Sequence, residues 1–172
     1  EQPVEDTAWA FIRDSFLKFH KEVPNAGIAV GIDVGDAKDI HPKNKQAIGY
    51  RLAQQALFKT YKQKVVPGGP IYKSAKVRGN TIVVSFSEIG SGLASQDGAA
   101  LKTFAIAGAG KQFVAAQAEI KGDTVVVSSS DVSSPVAVRY AWADNPVGCN
   151  LANKEGFPAS PFRTDDWTPV SE

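Results

Sequence analysis

The sequence predicts a chain in two parts: an α/β fragment, helix–strand–helix, over residues 1–62, followed by a small all-β sandwich or jelly-roll-like module over 63–172. Three observations predict it. Apolar residues recur at helical spacing in two stretches of the first part, and the unbroken apolar run Ile28-Ala29-Val30-Gly31-Ile32 lies between them. After Lys62 the pattern changes to short runs rich in β-branched and aromatic residues, separated by turn residues.

In the first part, Trp9, Ile12, Phe16 and Phe19 follow one another at spacings of three and four, which places them on one face of a helix. Asp6 or Thr7 can cap this helix, and Pro24-Asn25 with Gly27 stops it. The run 28–32 shows no alternation, as in a parallel strand covered on both faces. A polar loop from Gly35 to Pro42 leads into a second helix from about Asn44 to Tyr61, with Ile48, Leu52 and Ala56 on one face. A single unit of this kind cannot cover both faces of its strand, so neighbouring strands from outside this chain are expected.

In the second part the candidate strands are Ile71–Val77, Thr81–Phe86, Lys102–Ile106, Phe113–Ile120, Thr124–Ser129 and Val136–Ala141. Gly79-Asn80 and Gly122-Asp123 are tight-turn pairs. Ala107-Gly108-Ala109-Gly110 reads as a hairpin turn, and Ser128–Ser134 as a further turn. Val136, Val138 and Tyr140 alternate with Ala137, Arg139 and Ala141, the pattern of a half-buried antiparallel strand. The tail, with Pro146, Pro158, Pro161 and Pro169, is expected to be irregular and to lie against the surface.

Composition excludes several functions. The 19 basic and 18 acidic residues are interspersed and leave a net charge of +1, so nothing in the charge favours nucleic acid or an anionic membrane as a partner. No apolar run approaches the roughly 20 residues that span a bilayer. Cys149 is the only cysteine, which rules out an intrachain disulfide; it reads as a small buried side chain. Two histidines and one cysteine without ligand spacing argue against a zinc site, and no glycine-rich phosphate loop is present, so no cofactor is expected. A chain that opens Glu1-Gln2-Pro3 and has no methionine is expected to have been trimmed or cut from something longer.

The remaining chemistry gathers near one histidine. His20 lies at the end of the first helix, where it can meet the last carbonyls and the negative end of the dipole. His41 lies in the loop after the buried run, the end at which open α/β sheets place functional groups. Asp36 and Asp39 share that loop. An imidazole beside a carboxylate is what a serine esterase needs: the imidazole takes the serine proton, and the carboxylate orients the ring and stabilises its charged form. The plainer alternative is a loop histidine held by backbone carbonyls. Asp33 reads equally as a residue bonding loop amides. No Gly-x-Ser-x-Gly elbow occurs, and Ser91, in Gly90-Ser91-Gly92, falls in a β-rich loop, so the chain offers no convincing nucleophile.

Several motifs in order carry a resemblance. Asp33-Val34-Gly35-Asp36, Asp39-Ile40-His41-Pro42-Lys43-Asn44-Lys45 and Gly49-Tyr50-Arg51-Leu52 come first. They are followed by Gly69-Pro70, Arg139-Tyr140-Ala141-Trp142-Ala143-Asp144-Asn145-Pro146, Asn150-Leu151, Asn153-Lys154-Glu155-Gly156 and Pro158 through Asp165. Together, over about residues 7–166, they resemble the C-terminal part of bacterial sialate O-acetylesterases of the SGNH hydrolase superfamily. The resemblance implies that residues 1–62 are the last helix–strand–helix of a three-layer α/β/α core. It implies hydrolysis of acetyl esters on sugar hydroxyls, in the periplasm or outside the cell, with His41 as general base and then general acid. The serine and oxyanion-hole groups would come from the N-terminal part of the same esterase, a partner piece not in this chain. The superfamily's carboxylate, three residues before the histidine, corresponds here to Lys38; Asp39, Asp36 or a backbone carbonyl could orient His41 instead. The competing function is a non-catalytic carbohydrate-binding or structural β-sandwich, with Tyr72, Tyr140, Trp142 and Trp167 available for stacking on sugars.

Overall fold

The computed structural model describes residues 8–167. The proposed caps Asp6 and Thr7, and Pro169, lie outside the described residues. Two helices come first, α1 (Ala8–Glu22) and α2 (Lys45–Lys59). The strands follow as β1 (Ile71–Arg78), β2 (Thr81–Ser87), β3 (Leu93–Ser95), β4 (Phe104–Gly108), β5 (Phe113–Ala115), β6 (Gln117–Lys121), β7 (Thr124–Ser128), β8 (Pro135–Tyr140), β9 (Leu151–Asn153) and β10 (Phe162–Arg163).

Two antiparallel four-stranded sheets, ordered β1-β2-β7-β6 and β10-β8-β4-β5, face each other as a sandwich, and β3 and β9 form a short extra pair. The period-two pattern of β2 and β7 makes this possible. Ile82 lies opposite Val127 and Val84 opposite Val125, all fully buried. From the other sheet, Ile106 opposite Val138 and Phe104 opposite Tyr140 meet them, and Phe86, Leu151 and Phe162 complete one core. The β1–β2 and β6–β7 hairpins turn at Gly79-Asn80 and Gly122-Asp123, with each glycine at φ +59°, a conformation that costs glycine little.

Three expectations for this half need correction. The run Phe113–Ile120 is not one strand: it breaks at Ala116, whose N–H donates to the Phe104 carbonyl, and β5 and β6 enter different sheets. β8 is not half-buried, because both of its faces are covered beyond Val136. Arg139, on the face expected to be outer, donates from Nε and Nη2 to the two carboxylate oxygens of Asp165, each at 2.9 Å, and its guanidinium lies over the Phe113 ring. Among the described residues of the tail, Pro146, Pro158 and Pro161 are buried and not on the surface. The tail threads the interior, and Leu151, Phe157, Ala159 and Phe162 are core residues held by pairing of β9 with β3 and of β10 with β8.

The first half departs from expectation in a more informative way. The α1 stripe points outward: Trp9, Phe16 and Phe19 are 55%, 59% and 53% exposed, with Ile12 beside them. The buried face is the polar one, with Asp14 and His20 alongside Ala10 and Leu17. On α2, likewise, Leu52 is exposed and Arg51 and Gln55 are buried. Residues 28–32, predicted as a parallel strand, have no strand partner among the described residues, so the helix–strand–helix unit forms no sheet here. The physical reason is the one anticipated from the sequence: among the described residues no neighbouring strand is present to accept the run.

What holds α1 to the sandwich is therefore mostly polar. Arg13 donates to the carbonyls of Ala143 and Asp144, both at 2.6 Å. Asp14 accepts an ion pair from Lys18 at 2.9 Å and another from Arg163 at 3.4 Å. Phe11 meets the Trp142 ring edge-on at 5.4 Å, and Leu17 joins the core.

Candidate functional site

The loop carrying His41 is anchored at its start by Asp33. Arg51, on the buried face of α2, grips both Asp33 oxygens at 2.6 and 2.7 Å and also donates to the Val30 carbonyl at 2.6 Å. From the sandwich side, Gln96 Nε2 donates to Asp33 Oδ2 at 3.3 Å. Partial burial pushes the Asp33 carboxyl up, but the bonds and charge of Arg51 outweigh it and hold the group below the usual carboxylate range. Asp33 is thus bound to a guanidinium and a side-chain amide as well as to its own backbone N–H.

Beyond Asp33 the loop is built from two aspartate-capped turns. Asp36 Oδ1 accepts from the Lys38 N–H at 2.9 Å, and its other oxygen lies 4.0 Å from Lys43 Nζ. Asp39 Oδ1 accepts from the His41 N–H at 2.9 Å and lies 3.0 Å from His41 Nδ1. One carboxylate oxygen therefore fixes both the backbone and the ring of His41. Asn44 then caps α2, its Oδ1 accepting from the Ala47 N–H. The His41 side chain is 74% exposed. With Nδ1–H donated to Asp39, the neutral ring has its lone pair on Nε2, the nitrogen that can accept a proton.

The structure thus brings His41 and Asp39 together and engages Asp36 with Lys38 and Lys43. Neither histidine is joined to a serine by the described hydrogen bonds. Ser91 donates to Glu155, and His20, buried, lies with Nε2 3.1 Å from a Glu88 oxygen, a side-chain partner in place of the helix-end carbonyls expected. Among the aromatics considered for sugar stacking, Tyr140 and Trp142 are core residues, Tyr72 stacks on Phe162, and Trp167 lies against Phe113.

Sequence reasoning missed Arg51 and Gln96, and with them the network behind the loop. Asn150, almost fully buried, donates to the Ser95 hydroxyl, an Asp97 oxygen and the Ala100 carbonyl, and accepts from the Lys102 N–H. These bonds shape the segment that carries Gln96. Lys102 above all, then Asn150, Ser95 and the Ala99 amide, hold the Asp97 carboxyl far below its ordinary range. Burial, and secondarily Asp33, pushes the neighbouring Cys149 thiol up to about 11. A usable signal for Arg51 did exist: it stands one helical turn before Gln55, a polar pair on a helix read only for its apolar side.

Over 96% of its length the chain is similar to a carbohydrate acetylesterase from Xanthomonas citri, with 43% sequence identity and a TM-score of 0.92. It spans 38% of the length of that protein. No protein-family model and no curated protein matches the chain. The match supports a relationship to carbohydrate esterases.

Proposed function

We propose that this chain is the histidine-bearing, C-terminal part of a serine-type carbohydrate O-acetylesterase of the SGNH kind, active on acetyl esters of sugar hydroxyls. The observation that carries the reading is the Asp39–His41 pair: a carboxylate on Nδ1 of an exposed imidazole, in a loop clamped at its root by Arg51. Similarity to a carbohydrate acetylesterase supports it.

In this reading a serine from the remainder of the esterase gives its proton to His41 Nε2 as its oxygen attacks the acetyl carbonyl. The tetrahedral intermediate collapses, the bond from the acetyl carbon to the sugar oxygen breaks, and His41 returns the proton to the departing sugar hydroxyl. Water, deprotonated by His41, then releases acetate from the serine. Asp39 holds the ring in the tautomer that makes both transfers possible and stabilises the imidazolium between them. The carboxylate stands two residues before the histidine, so it reaches Nδ1 from within the same turn that binds the His41 amide.

The test is acetate release from acetylated xylan and from O-acetylated sialic acid by the assembled esterase. His41→Ala should lower turnover on the order of 10³-fold or more with the fold intact. Asp39→Asn should cost a large part of kcat, and Asp36→Asn much less. Near-normal turnover in His41→Ala would remove this site from the mechanism, and whichever of the two polysaccharide and sialic acid substrates is turned over defines the sugar class.

A further inference from the structure

The C-terminal ends of the two helices come together where Lys59, the last residue of α2, donates to the Ala26 carbonyl just past α1. Two clefts open there and share Lys59. One, of about 420 Å³, is lined by Asn25, Phe58, Lys59, Lys62, Gln63 and Lys64. The other, of about 430 Å³, has Lys21, Lys59 and Lys73 in its lining, with Tyr72 and Ser87. Five lysines of a chain whose net charge is +1 therefore border one region. Lys21 lies over the Tyr72 ring at 5.0 Å, and Lys62, Lys64 and Lys73 are exposed, with no salt bridge among the described residues. Glu88, the one acid among the described residues that line either cleft, faces His20.

Cations alone suit any polyanion, but the rest of the lining is more selective. Phe58 is 44% exposed and offers an apolar ring face, while Asn25 and Gln63 carry amides that both donate and accept. Asn25 and Lys62 stand at φ +64° and +55°, in the left-handed region where glycine is less strained, a kind of backbone that gathers at ligand sites. A carboxylate, hydroxyls and an apolar ring face are the three features of a uronic acid residue. We infer that the clefts at the helix ends bind an acidic polysaccharide through its uronic acid residues. The carboxylates pair with Lys62, Lys64 and Lys73, a pyranose ring stacks on Phe58, and hydroxyls bond Asn25 and Gln63. That the polyanion is a polysaccharide rests on the proposed esterase function; that it is carboxylated rests on the lysines. The 15 residues of α2 put roughly 20 Å between these clefts and the loop of His41. A uronate held here is thus not the residue being deacetylated, and the site is an accessory one that keeps the polymer near His41 through successive encounters.

The experiment titrates this chain at low salt with oligogalacturonate, with its methyl ester, and with polyphosphate, read by calorimetry. The methyl ester keeps the rings and loses the charge, so it should bind on the order of tenfold more weakly than the acid. Lys62→Gln, Lys64→Gln and Lys73→Gln together should weaken oligogalacturonate binding by about tenfold, the sum of three exposed ion pairs. Phe58→Ala should weaken it about threefold or more. All these side chains are exposed, and an unchanged melting midpoint checks that the fold survives. Equal binding of acid and ester overturns the inference, and so does a triple lysine variant that binds like the parent. Polyphosphate bound as tightly as oligogalacturonate, with Phe58→Ala without effect, also overturns it, because the region would then be a basic patch that recognises no sugar. The assembled esterase separates this inference from the proposed function. There His41→Ala should lower turnover and leave oligogalacturonate binding unchanged, and the triple lysine variant should slow acetate release from an acetylated acidic polysaccharide but not from an acetylated monosaccharide. Uronate binding without His41-dependent turnover keeps the clefts and loses the esterase reading; His41-dependent turnover without uronate binding does the reverse.

Discussion

Arg51→Met removes one cation from a place where three of its bonds converge. The Arg51 and Asp33 side chains are only 10% and 16% exposed, so the pair lies largely out of water, and its contacts of 2.6, 2.6 and 2.7 Å are those of a charge-assisted fork. Without the guanidinium, Asp33 keeps the 3.3 Å bond from Gln96 and its backbone bond, and the Val30 carbonyl loses its Arg51 donor. Breaking a fully buried ion pair from one side costs roughly 3–5 kcal/mol. Residual solvent access on the Asp33 side reduces this, and about 2–3 kcal/mol is expected here. Asp33→Asn keeps the shape and one acceptor and should cost about 1–2 kcal/mol, with a coupling of about 1 kcal/mol or more in the double-mutant cycle. Urea unfolding at neutral pH measures all four corners, and the urea dependence should not change among them. The pH dependence has a fixed sign. The folded Asp33 carboxyl sits below its ordinary value of about 3.9, so its contribution is full above that pH and is lost as pH falls through the lower folded value. The coupling should therefore shrink under acid. A coupling below about 0.3 kcal/mol at neutral pH, or one that grows in acid, refutes the reasoning.

Three further outcomes follow from the sandwich. Phe162→Ala empties a fully buried position that stacks on Tyr72 at 4.9 Å and touches Phe86, Phe104 and Tyr140; it should cost about 3–5 kcal/mol in urea melts, and a loss under 1 kcal/mol would mean the core closes over the gap. Asp165→Asn takes one carboxylate charge from between the buried Arg139 and Arg163 and should lower Tm; an unchanged Tm would show that these ion pairs contribute little to stability. Cys149, with its thiol pushed up to about 11, should react with iodoacetamide at pH 8 at least about tenfold more slowly in the folded chain than in urea: the thiolate is about 100-fold scarcer than at the ordinary value of about 9, and its greater basicity recovers only about tenfold. Equal rates in the two states would contradict the burial.

What was legible in the sequence was whatever local pattern alone decides. The hairpins at Gly79-Asn80 and Gly122-Asp123, and the alternation that buries Ile82, Val84, Val125 and Val127, depend on neighbours a few residues away, and they stand where the pattern puts them. The loop contact of His41 with a carboxylate is local in the same sense: Asp39, the nearest carboxylate in sequence, lies against the ring, and Asp36, its competitor, bonds the Lys38 N–H. What was not legible is set by distant residues. Nothing near Arg139 announces that Asp165 will cover it, and nothing near Asp33 announces Gln96. The helix faces are the clearest case. Periodicity finds a stripe but not which side has a surface to meet, and for Trp9, Phe16, Leu52 and Arg51 the side was decided by what this chain has to offer them.

That polar packing of α1 has a consequence for the orientation of the helix. Apolar contacts tolerate a helix rolling about its axis by tens of degrees, because one methylene substitutes for another. The two Arg13 bonds to Ala143 and Asp144 and the Asp14 bridge to Arg163 tolerate very little roll, since hydrogen bonds weaken steeply away from their preferred directions. α1 is thereby held at one azimuth, and its exposed residues Trp9, Ile12, Phe16 and Phe19 face solvent in one fixed direction.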